Sequence, residues 1–298
     1  MYPAPFRYHR PASLKDAIAL LSALGESAKP LAGGQTLIPI LKLRMDELSD
    51  LVDIARIPGL GQITQEQGQV RIGALATHAQ VAISQVAKRV PIVRDCAGGI
   101  ADPQVRNRGT IGGSVCAADP SGDWPALLHV LDAEVLCHGP GGERVIPIGN
   151  FIQDAYTTAL VSGELVTQIR FKVPPAGSGG AYIGFKKAAP AYPAASAGVQ
   201  LVLGEGNVCR EVRLVLGSAG SRPVTSTEAE QFLRGKVLTG ENIEQAADAL
   251  VAASDPPTDA RGSAAFKRTM LRSLLLRAAQ NAMRRSQGAQ IDGRHDYV

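Results

Sequence analysis

Apolar positions along the chain change period several times, and each change marks an element. Leu14, Ala17, Ile18, Leu21 and Leu24 recur three and four residues apart, which is the spacing of one helix face. Ser13 precedes them as an N-cap, Asp16 follows at the third helical position, and Gly25 stops the run. Lys29 to Ala32 reads as a short buried strand that passes directly into Gly33-Gly34-Gln35-Thr36. Leu37 to Leu43 then resumes as a helix with Pro39 in its first turn. Leu51 to Ile54 and Val70 to Ile72 read as strands. Thr77 caps a helix running to about Lys88, and Val93 to Gly99 forms another. Trp124 to Val130 is a helix for which Asp123 is the expected N-cap, with Pro125 in the first turn. Glu134 to Cys137 and Glu143 to Ile148 pair as a hairpin. Phe151 to Tyr156 is a short loop or helix, and Leu165 to Val173 alternates as a strand.

Pro174 to Gly180 is the strongest linker signal in the chain. Beyond it, Tyr182 to Lys186, Ala197 to Leu203 and Val208 to Leu216 read as a three-stranded meander turning at Gly204 to Asn207. Helices are expected over Ser226 to Leu233, Ile243 to Ala253 and Ala264 to Arg285. The last has an apolar stripe at Leu271, Leu274, Leu275, Ala278 and Ala282. Its basic face, with Arg268, Arg272, Arg284 and Arg285, is expected to meet solvent. The tail from Gln287 to Val298 is polar and expected to be loose. Helices mixed with antiparallel hairpins place the chain in the α+β class.

Composition narrows the function. The 298 residues suffice for about two domains. Apolar residues make up 45% and charged residues 19%, an ordinary globular balance. A net charge of +4 and 4% aromatics argue against a nucleic-acid surface. No apolar run approaches the roughly 20 residues that cross a bilayer, and the first residues lack a signal-peptide apolar core. Cys96, Cys116, Cys137 and Cys209 stand far apart, without metal-ligand spacing, and read as free thiols in a reducing cytoplasm. The five histidines are scattered too, with His78 and His129 at helix starts or on helix faces.

Two glycine pairs carry the candidate chemistry. Gly33-Gly34 lies between a strand and a helix, a position where backbone N–H groups gather around phosphate. Gly112-Gly113 lies between Thr110 and Ser114, and a turn with φ > 0 there would make a second donor nest. Asp53 stands about where a dinucleotide fold places its ribose acid. The glycines lack the G-x-G-x-x-G spacing, however, so a nicotinamide site is disfavoured and Asp53 reads as a strand-end residue.

Ala32-Gly-Gly-Gln-Thr36 followed by Leu-Ile-Pro resembles the first FAD motif of molybdenum hydroxylase flavoprotein subunits. Thr110-Ile-Gly-Gly-Ser114, with Asp119-Pro and Asp123-Trp-Pro behind it, resembles the second. The likeness is to the medium subunits of the carbon monoxide dehydrogenase and xanthine dehydrogenase class, and it covers nearly the whole chain. It implies an FAD-binding domain of the vanillyl-alcohol oxidase (PCMH) type over 1–176. A C-terminal domain with a three-stranded sheet and helix bundle over 177–286 and a tail over 287–298 complete the chain. It implies FAD contacts from Ala32, Gly33, Gly34, Gln35 and Thr36, and from Thr110, Ile111, Gly112, Gly113 and Ser114. Asp123, Val166 and Lys186 are further implied contacts, and Tyr192 is an implied cover for the flavin ring. Ser114 departs from the asparagine common in the family.

The resemblance further implies a heteromeric oxidoreductase. A large partner holds molybdopterin, a small partner holds two iron–sulfur clusters, and this chain passes electrons through noncovalent FAD to an external acceptor. The assembly implied is a cytoplasmic dimer of heterotrimers. Catalytic side chains and metal ligands are not expected on this chain, and the substrate is chosen elsewhere. A stand-alone FAD oxidase of the same fold is the alternative, and a flavin-free assembly subunit a third reading. The missing cap domain and the lack of acid/base groups in the motifs speak against the first, and the two intact glycine motifs speak against the second.

Overall fold

In the computed structural model, which describes residues 2–292 and the backbone of 296–297, the N-terminal part is built on two sheets. The first is parallel, in the order β1 (Arg7–His9), β3 (Asp50–Asp53), β2 (Ala28–Leu31). Helix α1 (Leu14–Leu24) connects β1 to β2, and α2 (Leu37–Lys42) connects β2 to β3. Ser13 caps α1 as its sequence requires, with Asp16 N donating to its hydroxyl at 3.1 Å. The inward face of α1, Ala17 and Leu21, packs with Ala28, Val52, Ile54 and Leu165. This β2–α2–β3 crossover carries the first glycine motif.

The second sheet is antiparallel, in the order β4 (Ile63–Glu66), β5 (Gln69–Gly73), β10 (Leu165–Lys172), β6 (Glu134–Gly139), β7 (Gly142–Pro147). Between β5 and β6 run α3 (His78–Ile83), α4 (Gln85–Arg89), α5 (Pro91–Gly99), α6 (Pro103–Arg106), α7 (Ile111–Ala117) and α8 (Asp123–Val130). Short α9 (Ile148–Phe151) and the ribbon β8 (Ile152–Asp154)–β9 (Thr157–Thr158) complete this part. One apolar cluster, including Val70, Ile72, Ile92, Ile111, Trp124, Leu127 and Ile169, joins the sheet to its helices. The helix expected from Thr77 to Lys88 is divided at Ser84. The hydroxyl of Ser84 accepts from Ala87 N at 3.1 Å and so caps a new helix instead of continuing the old one.

The C-terminal part has β11 (Ser178–Lys186), β12 (Ala195–Leu203) and β13 (Cys209–Gly217) as an antiparallel meander. Helices α10 (Thr227–Leu233), α11 (Gly240–Ala252) and α12 (Ala264–Ser286) share a second core with it. The period of two along β11 makes it a shared wall. Ala181 and Ile183 join the C-terminal core, while Tyr182 joins the N-terminal one. The run expected as a linker is therefore partly strand. Gly179 is needed there for close approach, because a Cβ would stand 1.9 Å from Ala282 O on α12.

Two expectations need correction. The tail was expected to be loose, and the sheet three-stranded, but β14 (Asp296–Tyr297) adds a parallel fourth strand beside Phe185 and Lys186. Gly293 to His295 and Val298 of that tail lie outside the described residues. Arg285 does not sit on a solvated face. It is buried, with Nη1 donating to Asp95 Oδ2 at 2.5 Å, Nη2 to Asp95 Oδ1 at 2.9 Å, and Nη1 also to Gly180 O at 2.6 Å. A bidentate carboxylate offsets the desolvation of the guanidinium, and the pair ties α12 to α5.

Candidate functional site

The first glycine motif opens into a cleft of about 800 Å³. Its lining includes Ala32, Gly33, Gly34 and Gln35, the apolar Leu31, Ile38 and Pro39, the cations Lys42 and Arg108, and Asp53. Gly34 has φ +74°, a conformation that L side chains rarely adopt, and it lets the chain reverse from β2 into α2. Gly33 serves a different need. A Cβ there would stand 2.1 Å from Arg108 O, so the first motif packs directly on the lead-in to the second. No hydrogen bond among the described residues takes up the amides of Gly33, Gly34 or Gln35. The turn therefore presents free donors beside two cations, which suits an anionic ligand.

The second motif corrects its sequence reading. Gly112 and Gly113 are the second and third residues of α7, and neither has positive φ. Thr110 is the N-cap, and its Oγ1 accepts from Gly113 N at 3.0 Å. Gly112 N donates to Ala74 O at 2.9 Å. Both amides are thus engaged within the protein, and no open donor nest exists here. The glycines are required by space. A Cβ on Gly112 would stand 2.5 Å from Ala74 Cβ and 2.7 Å from Ala74 O. Gly113 is exposed, Ser114 half-buried, and Ile111 fully buried in the core.

A buried pair supports this motif from below. His78 N donates to Gly109 O at 3.0 Å, and the His78 ring lies against Gly109, where a Cβ would stand 2.8 Å from Nε2. Trp124 Nε1–H donates to His78 Nδ1 at 3.0 Å, which leaves Nε2 as the protonated nitrogen of a neutral ring. Burial is the main cause that lowers the His78 pKa to about 4; the charge of Asp123 opposes the shift and Arg106 adds to it.

Asp123 is not an N-cap. Gly122 holds that position, and Asp123 is the buried first residue of α8. Its Oδ1 accepts from the Tyr182 hydroxyl at 3.1 Å, and its Oδ2 lies 3.6 Å from Lys186 Nζ. Lys186 is equally buried and donates to Gly99 O at 2.6 Å. Three expected contacts therefore divide: Asp123 and Lys186 come together in the buried junction of α8, β11 and the end of α5, while Val166 is buried in β10 within the N-terminal core. Tyr192 comes from the loop between β11 and β12 and lies beside Thr36, which brings the C-terminal part to the first motif. Burial raises its phenol to about 12, although the side chain is still 46% exposed. Sequence reasoning missed Lys42 and Arg108 and set Asp53 aside. The only signals for them were a basic residue in the last turn of α2 and the Arg-Asn-Arg run before Thr110.

Among the described residues, no group of three or more His, Cys, Asp or Glu is placed to hold a metal ion, and no helix is long and apolar enough to cross a membrane. A glycine turn packed on the lead-in to a second glycine motif, on this two-part scaffold, is the arrangement of an FAD-binding protein of the PCMH type. Residues 4–174 match the family described as the FAD binding domain in molybdopterin dehydrogenase, and residues 180–282 match the CO dehydrogenase flavoprotein C-terminal domain. The carbon monoxide dehydrogenase medium chain of Afipia carboxidovorans is 40% identical over 96% of this chain and 99% of its own length. A crystal structure of Cu,Mo-CO dehydrogenase superposes with a TM-score of 0.93 at 40% identity, covering 96% of this chain and 100% of that one. Quinoline 2-oxidoreductase from Pseudomonas putida gives a TM-score of 0.90 at 30% identity, over 98% of this chain and 100% of that one. The chain belongs to the FAD-binding medium-subunit family of molybdenum hydroxylases, and its function is to relay electrons within a heteromeric oxidoreductase.

Proposed function

We propose that the chain holds FAD noncovalently, with the pyrophosphate over Ala32 to Thr36 and against the exposed face of Gly113 and Ser114. The observation that carries this reading is the contact between the motifs, in which Gly33 leaves no room for a Cβ against Arg108 O. It sets the free amides, Lys42 and Arg108 on one cleft, beside the lead-in to α7, which supports a phosphate held between the two motifs. Gln35 occupies the motif position where a covalent flavin link would need histidine, and its amide cannot form that bond. Asp123 and Lys186, buried against each other, brace the junction of α8 and β11 from within. Tyr192, beside Thr36, covers one face of the site and limits water access. The flavin supplies the one- and two-electron chemistry that no side chain here provides.

The proposal extends to the assembly. A large molybdopterin subunit hydroxylates the substrate, a small subunit with two iron–sulfur clusters delivers the electrons, and the whole is a dimer of heterotrimers. The relatives are named as medium chains or complex subunits, which supports partners of this kind. The four free thiols support a cytoplasmic location. Co-purification with the partner subunits, followed by flavin and metal analysis, tests this directly. Acid precipitation should release FAD into the supernatant, with molybdenum and iron present in the complex. Flavin retained on the washed pellet would contradict noncovalent binding. A flavin-replete protein that purifies without metal-bearing partners would contradict the assembly.

A further inference from the structure

Strands β2 and β3 are parallel neighbours, with Leu31 beside Asp53 in register. The end of β2, where the chain enters the glycine turn, and Asp53, the last residue of β3, therefore open on one cleft about one strand spacing apart. Ligands of parallel βαβ units bind beyond the carboxyl ends of the strands. Asp53 is the one acidic residue lining the cleft among the described residues. Its Oδ1 accepts from Ala55 N at 2.9 Å, and its Oδ2 accepts from the Tyr8 hydroxyl. These bonds fix the carboxylate and use two of its roughly four lone-pair directions, leaving acceptor capacity for the cleft.

A carboxylate repels phosphate and demands donors. The remaining lining separates the same way: free amides with Lys42 and Arg108 for anionic oxygens, and Leu31, Ile38, Pro39 and Leu43 for a flat apolar ring. An adenosine phosphate carries all three chemistries in one molecule, and the donors nearest its phosphate are the ribose hydroxyls, the adenine amino group lying at the far end of the base. The geometry points to Asp53 as the acceptor for the ribose hydroxyls in the AMP half of FAD, which makes it a residue that selects for the full dinucleotide. This rests on the reading of the cleft as the FAD site. The G-x-G-x-x-G spacing is absent, yet the acid sits at the end of the adjacent parallel strand, where a ribose following a phosphate turn can reach it.

The test uses the assembled complex stripped of flavin and titrated with FAD and with an analogue whose adenosine lacks both ribose hydroxyls. Quenching of flavin fluorescence reports the dissociation constants. The unaltered complex should prefer FAD by about tenfold or more, the size expected for hydrogen bonds to a charged acceptor. Asp53→Ala should weaken FAD by a similar factor, leave the analogue unchanged, and so abolish the preference. Tyr8→Phe keeps the carboxylate and should keep the preference. If Asp53→Ala retains the preference, or weakens both ligands equally, or is matched by Tyr8→Phe, then Asp53 only ties β1 to β3 and the assignment is overturned. Ala55→Trp separates this from failure of the site reading, because Ala55 is exposed and lines the cleft. It should block both ligands. Undiminished FAD binding by Ala55→Trp would show that the dinucleotide lies elsewhere, whatever Asp53 does.

Discussion

The two glycine motifs look alike in sequence and differ in almost every physical respect. Gly33-Gly34 lies in a turn, has one glycine at φ +74°, and leaves its amides free. Gly112-Gly113 lies in a capped helix, has ordinary φ, and has its amides engaged by Ala74 O and Thr110 Oγ1. The first motif offers donors, and the second offers the absence of side chains. A paired glycine therefore indicates a close approach without indicating what approaches. At Gly112 it is the protein's own Ala74 backbone.

The largest test of this contrast is Gly112→Val. Its side chain would strike Ala74 backbone atoms that cannot swing aside, so both the fold and flavin binding should fail, visible as loss of soluble protein or of the cooperative melt. A stable, flavin-replete Gly112→Val protein would remove the packing explanation. Gly113→Val comes next. The residue is exposed, and its Cβ would meet only Thr110 Oγ1, at 2.9 Å. FAD binding should be lost while a cooperative melt is retained; full flavin occupancy in the soluble variant would show that nothing approaches this surface.

Below the second motif, His78 should make stability depend on pH. Its folded pKa is lowered to about 4 from 6.5, so the folded state refuses a proton that the unfolded state accepts. The contribution is complete above pH 6.5 and is lost as pH falls toward 4. It should amount to on the order of 3 kcal/mol. His78→Gln can still accept from Trp124 without titrating, and its denaturant midpoint should fall less over that window than the wild type's. Equal slopes would mean that His78 is not the titrating group. The smallest effect is expected at Gly34→Ala. The positive φ costs an L residue roughly 1–2 kcal/mol, and the nearest obstacle is a side chain, that of Ile38, at 3.1 Å. Chemical denaturation should show that modest loss with flavin still bound. A loss as large as that of Gly112→Val would erase the distinction between the motifs.

What the sequence made legible follows from how local each cause is. The strand–glycine–helix arrangement at Ala32 to Leu43 was readable because turn, strand and helix are consecutive in the chain. The two-part α+β architecture was readable for the same reason. Asp123 was misread as a cap because its true partners, Tyr182 and Lys186, come from a strand far along the chain. Arg285 was misread as solvated because Asp95 lies 190 residues away. The role of Gly112 depends on Ala74, which no local pattern connects to it. Asp53 was set aside on motif spacing, whereas its place in the cleft is decided by strand register.

The relay itself is tested most directly by single-turnover flavin reduction, followed at the flavin absorption band. Carbon monoxide, an aldehyde and an N-heteroaromatic compound are each mixed with the isolated chain and with the assembled complex. Rapid bleaching should occur in the complex with its own substrate and with none of these compounds in the isolated chain. Fast bleaching of the isolated chain by any of them would contradict the relay and make this chain an oxidase in its own right.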